Sequence, residues 1–198
     1  MIMNTVNIPF PIIYLAYGAE GLFAATLFFI PSTILLWTVG VFIVAGNHWK
    51  ENVLEMLRLP TIYAILLGLL LNLLRIQIPE LIIKSLDFIA LMAIPLVLII
   101  LGFNLSKARI SSFTTTLLAS FIRVGIGFTL GLFMVSLLNI TDVSRAVVVL
   151  DSAMPAAVMT SLLATKYESE ADLVSSVVFL TTIMSLVSIP FILYLLQS

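Results

Sequence analysis

The chain has 198 residues, of which 62% are hydrophobic and only 10% charged, with a formal net charge of −1; its mean hydropathy is +1.24. A soluble domain devotes roughly a quarter of its residues to charge, so the apolar surplus here must face lipid, and the near-neutral balance offers no basic surface for nucleic acid. Cysteine is absent, which excludes disulfide staples, thiolate metal sites and cysteine nucleophiles.

An all-α, multi-pass protein of the cell membrane follows. At roughly 20 residues per span there is room for about seven transmembrane helices with short loops. The first apolar stretch, 7–17, is too short to cross alone and reads as half of a broken helix, interrupted by Pro9 and Pro11 and carrying Asn4 and Asn7 just ahead of it or at its start. A polar break at 18–21 leads into a span over 22–45, with Pro31 and Ser32 inside. The stretch 46–60, with His48, Trp49, Lys50, Glu51, Glu55 and Arg58, reads as a short interfacial helix anchored by its tryptophan. Spans are expected over 61–76 and over 85–103, the latter with Asp87 near its start and Pro95 inside. A basic turn with Lys107 and Arg109 precedes a span over 113–138 that contains Arg123. A polar turn at 139–145, the stretch 147–166, a solvated turn at 166–172 and a span over 173–196 complete the chain.

The stretch 147–166 carries the most information. It is apolar enough to enter a bilayer, yet it holds Asp151, Ser152 and Pro155 near its middle. Proline cannot donate its backbone N–H and crowds the carbonyl four residues back, so a continuous helix is not expected. Freed backbone groups survive in a membrane only against protein or a water-filled cavity. Two interrupted spans in one chain are a pointer to a carrier's binding site. Asp151 would couple to a proton or sodium ion, since a carboxylate in hydrocarbon is costly and usually kept for a role; the plainer alternative is an interfacial cap. Arg123 suits an anionic substrate because its planar fork matches a carboxylate. It equally suits a counter-charge to Asp151, a structural ion pair, or snorkelling to the interface. Asn4, Asn7 and Pro11 would line the first half-site, where half-helix N-termini favour anions. Gly127 and Gly131 form a small-xxx-small pair that allows close helix packing and self-association as a homodimer.

An echo links the breaks: Tyr17-Gly-Ala-Glu20 and Tyr167-Glu-Ser-Glu170 each precede a long apolar span. Counting the spans between them gives the two copies opposite topology, the pattern of inverted repeats. Basic residues favour a cytoplasmic side holding Lys50, Arg58, Lys107, Arg109 and Lys166, against Arg75, Lys84 and Arg145 opposite.

Several of these residues resemble the auxin efflux carrier (membrane transport protein) family. The stretch 60–105, with Pro60, Pro79, Pro95 and Leu101-Gly102, is similar to the family's sixth and seventh spans. Ala153-Met154-Pro155-Ala156 followed by Tyr167 resembles its second crossover helix. Asn4, Asn7 and Pro11 match its first crossover pattern, although Val6 and Pro9 stand where that pattern has glycines. The resemblance implies a ten-span fold of two inverted five-span repeats, like bile-acid/sodium symporters, of which this chain would hold spans four to ten. Residues 1–46 would then end the first repeat, 47–60 form a cytoplasmic connection, and 61–198 the second repeat with its crossover at 146–166. It implies a permease for small organic anions, auxin-like or malate-like carboxylates, working by alternating access. The spans 22–45 and 173–196 would belong to the scaffold.

Enzyme chemistry is not expected: there is no histidine pair, no HExxH and no nucleophile elbow. The lone His48 makes no metal site, and no cofactor or nucleotide motif is present. The competing class is a shortened, non-transporting membrane protein acting as an assembly or receptor-like subunit. It leaves the two proline-broken spans unexplained.

Overall fold

The computed structural model describes residues 1–45, 60–106 and 111–197. The expected interfacial helix, with Trp49, and the turn holding Lys107 and Arg109 lie outside these residues. Among the described residues every regular element is helical, apart from an isolated antiparallel bridge between Met3 and Ala156.

The first helix, α1 (Pro9–Leu35), is two limbs rather than one rod. Gly18 sits at φ 62°, ψ −151°, a conformation that glycine adopts without a Cβ penalty. It folds the limb 9–17 back against the limb 19–35. In a straight helix the backbones of Phe10 and Phe29 would stand about 28 Å apart at 1.5 Å per residue; instead their ring centroids are 6.1 Å apart, edge to face. Gly21 lets the limbs close, because a Cβ there would come within 2.9 Å of Ile13 Cγ2. The break expected over 18–21 is therefore a single residue wide, and the half-helix and the following span are both present. Pro31 lies inside the second limb, beside Ser32, whose hydroxyl donates 2.8 Å to the Phe28 carbonyl. The helix then widens into a π-turn (Leu36–Gly40) before α2 (Val41–Ala45).

Next come α3 (Pro60–Leu73) and α4 (Glu80–Leu105). The start of α4 is earlier than the apolar pattern suggests. The Pro79 carbonyl accepts the N–H groups of Ile82 and Ile83 at 2.9 and 3.2 Å, and Lys84 pairs with Glu80 at 2.7 Å. Asp87 is thus the eighth residue of its helix, roughly 10 Å along the axis, rather than two residues inside a span. After α5 (Phe113–Leu137), the broken span follows as α6 (Asp142–Ser152) and α7 (Val158–Lys166). The chain ends in α8 (Ala171–Gln197).

The core lies where α6 is wrapped by α1, α5 and α8. Ile13, Val147, Val149, Leu150, Met154 and Val178 are buried together there. By contrast α4 touches α1 only lightly, and it is exposed over nearly all its length, as is α3. A face of Leu, Ile and Phe that is exposed outside the core belongs against lipid in a chain this apolar. Two expectations change. Gly127 and Gly131 do not offer a free face for a homodimer, because Ser152 of the same chain packs onto both. The spans 22–45 and 173–196 are not apart from the crossovers: the first folds back on limb 9–17, and the second packs on α6 and α7.

Candidate functional site

Pro155 divides the stretch 147–166 into two half-helices joined by the non-helical residues 153–157. Residues 1–8, ahead of α1, are non-helical too, and residues 2–4 run antiparallel across residues 155–157. The Asn4 N–H donates to the Pro155 carbonyl at 2.8 Å, and the Ala157 N–H donates to the Ile2 carbonyl at 2.9 Å. These bonds flank Met3 and Ala156, making them a non-hydrogen-bonded antiparallel pair, the closer of the two kinds. Each break thereby satisfies backbone groups that the other leaves free, which is the condition for irregular chain inside a membrane.

Side chains complete the accounting. The Asn4 Oδ1 accepts the N–H groups of Val6 and Asn7 at 3.3 and 3.0 Å, turning the chain into α1. The Ala156 N–H donates to Thr181 Oγ1 at 3.1 Å, while that hydroxyl donates back to the Val177 carbonyl in α8. Arg123 reaches from α5 to donate through Nη1 to the Ser152 carbonyl at 3.1 Å. A cation on the last carbonyls of a helix is favoured by the negative end of its dipole. Gly127 makes this reach possible, because a Cβ there would fall on the Ser152 carbonyl and on Arg123 Nη1. Gly131 does the same one turn on, with a Cβ 2.8 Å from that of Ser152.

Five of the seven residues singled out from the sequence therefore gather at the crossing: Asn4, Arg123, Asp151, Ser152 and Pro155. Asn7 adjoins it through Asn4. Pro11 is buried within the first limb. Thr181 went unnoticed in the sequence, as did Met3. Thr181 is one of many helix hydroxyls that bond to their own backbone, and only the fold distinguishes it.

The crossing leaves polar atoms over. Asp151 is fully buried, and neither carboxylate oxygen has a hydrogen-bond partner among the described residues. Arg123 is not its counter-charge, since no ion pair joins them among the described residues. Buried without partners as well are Arg123 Nε and Nη2 and the Asn4 Nδ2. Buried polar groups are nearly always paired in native proteins, so this concentration calls for a role. Three unsatisfied donors suit an anion; two carboxylate oxygens at a half-helix C-terminus suit a cation. Two cavities adjoin the crossing, and Met3 borders both. One, of about 520 Å³, reaches Arg123, Ser152, Gly127 and Gly131. The other, of about 340 Å³, reaches Asn4, Asn7, Trp37 and Val158. No cluster of metal-ligating side chains occurs among the described residues.

A sequence model of the membrane transport protein family matches residues 49–193. The chain belongs to that family. It is similar to an uncharacterized transporter of Methanocaldococcus jannaschii, with 31% identity over 96% of this chain. It is also similar to an uncharacterized transporter of Methanothermobacter thermautotrophicus, with 29% identity over 95%. The chain spans 64% and 63% of the lengths of these two relatives. Family membership agrees with the helices here that are long and apolar enough to cross a bilayer, and the chain is a multi-pass membrane protein. Both family and relatives point to transport rather than catalysis.

Proposed function

We propose that this chain carries small organic anions, auxin-like or malate-like carboxylates, across the membrane by alternating access. The observation that supports this most is the antiparallel crossing of residues 2–4 with 155–157, with unsatisfied donors and a sealed carboxylate around it. Half-helices that meet at mid-membrane place partial charges where a substrate and a coupling ion can share them. The anion takes the free nitrogens of Arg123, entering through the cavity that Arg123 lines. Asp151 takes the coupling proton or sodium ion at the end of α6. Alternating access then moves α1 and α5–α8, which pack as one unit, against the lightly attached α4.

Uptake of radiolabelled indole-3-acetate and malate into proteoliposomes tests this. Wild-type protein is expected to accumulate one of them in a pH- or sodium-dependent way. Arg123→Gln should cut the rate about tenfold or more, because a charge-assisted hydrogen bond is worth about 1.5–3 kcal/mol. Asp151→Asn should abolish the ion dependence. Uptake no greater than in empty vesicles, or an Asp151→Asn variant with unaltered ion dependence, would contradict the proposal.

A further inference from the structure

A third cavity, a chamber of about 540 Å³, lies between the two limbs of α1 and one face of α4, and shares Val6 with the smaller cavity at the crossing. That volume is within the range of small-molecule sites. Its walls are mainly apolar and aromatic, with Phe10, Tyr14 and Leu22 on the α1 side and Leu91 and Ile94 on the α4 side. The hydroxyl of Thr26, which also borders it, is occupied with the Leu22 carbonyl at 2.8 Å. Of the lining residues only Asp87 carries a charge. The nearest basic group on its helix, Lys84, is held by Glu80 at 2.7 Å. No hydrogen bond or ion pair to Asp87 is present among the described residues.

A carboxylate set well inside an apolar helix is expensive unless something positive meets it. Aromatic rings on the same chamber add attraction for a cation through their π faces. An anion would be repelled by the same wall. We propose that this chamber is a binding site for an organic cation, a substituted ammonium with an apolar body. Asp87 is its counter-charge, and Phe10 and Tyr14 supply its aromatic walls. The site differs in charge from the anion route at the crossing, although Val6 borders both this chamber and the smaller crossing cavity, so it serves a second ligand class.

The test uses benzyltrimethylammonium, whose charge does not change with pH, titrated calorimetrically into the full chain in lipid nanodiscs. Saturable binding is expected. Asp87→Asn should weaken it at least about tenfold, as loss of the ligand's counter-charge predicts. Asp87→Glu, which keeps the charge and guards against a mere folding defect, should stay within a few-fold of wild type. Tyr14→Ala should weaken binding several-fold. The proposal is overturned by an absence of saturable binding. Equal affinity in Asp87→Asn overturns it too, as does binding lost in Asp151→Asn but kept in Asp87→Asn, which would assign the cation to the crossing. Anion uptake in proteoliposomes is read separately, so failure of either reading leaves the other standing.

Discussion

Thr181 carries more structure than its side chain suggests. Its hydroxyl bridges the Ala156 N–H, freed by the break, and the carbonyl of Val177, so α8 holds the crossing in register. Thr181→Val keeps the shape and deletes the acceptor. The Ala156 N–H is buried, and stranding it should cost about 1–3 kcal/mol. The expected readout is a lower melting temperature in detergent, with Thr182→Val as comparison because its hydroxyl only bonds back to Val178. An unaltered melting temperature in Thr181→Val would show that water or another group takes the N–H. Asp151 and Arg123 were legible in the sequence because a charge inside an apolar span stands out on cost alone. Their roles were not. Arg123 was open between substrate, counter-charge, structural ion pair and snorkelling; the fold sets its Nη1 on the Ser152 carbonyl and leaves Nε and Nη2 without partners among the described residues. No feature of local sequence announces which carbonyl, 29 residues away, a side chain will reach.

The half-helices owe their existence to two different breakers. Pro155 ends α6 by chemistry, since its ring and missing N–H forbid the next helical turn. Gly18 reverses α1 by geometry, with φ at 62° and ψ at −151°. The turn after α7 visits the left-handed region at the matching place: Glu168, one residue past Tyr167, has φ 50°, as Gly18 follows Tyr17. Gly18→Ala should therefore cost about 1–3 kcal/mol, the range for a side chain held in a sparsely populated backbone region. Gly68→Ala and Gly102→Ala, on helix faces where an added Cβ meets nothing within 4 Å, should be neutral or stabilising by up to about 1 kcal/mol. Denaturant or thermal unfolding of the three variants separates them; equal effects would mean the hairpin at Gly18 does not form. Proline and glycine punctuation made both breaks readable in the sequence. The start of α4 was misplaced because apolar density, not the Pro79 carbonyl that caps the helix, had set its boundary. The glycine pair of α5 was misassigned for a related reason. A small-xxx-small stripe shows that something approaches closely, but not whether it is another copy or a neighbouring helix.

At the scale of the molecule, the chain divides into a packed unit and a loosely attached one. The helices α1 and α5–α8 enclose the crossing, whereas α3 and α4 present apolar faces outward. The family and the multi-pass character were visible in composition and in the order of proline-marked spans. The division was not, because the long spans are all strongly apolar and hydropathy does not say which faces meet. The site depends on one long-range feature: the residues before α1 cross the break at Pro155 and satisfy it. This is open to a direct measurement, because the chain contains no cysteine. Met3 and Ala156 form the crossing's closest pair, and antiparallel pairs of this kind hold their Cα atoms about 4.5 Å apart, within disulfide range. In a Met3→Cys, Ala156→Cys variant oxidised in native membranes, nearly complete intramolecular cross-linking is expected, with none between Leu15→Cys and Ala156→Cys. If both cysteines at positions 3 and 156 instead stayed free to alkylate, the two breaks would not meet, and the site built on their crossing would not exist.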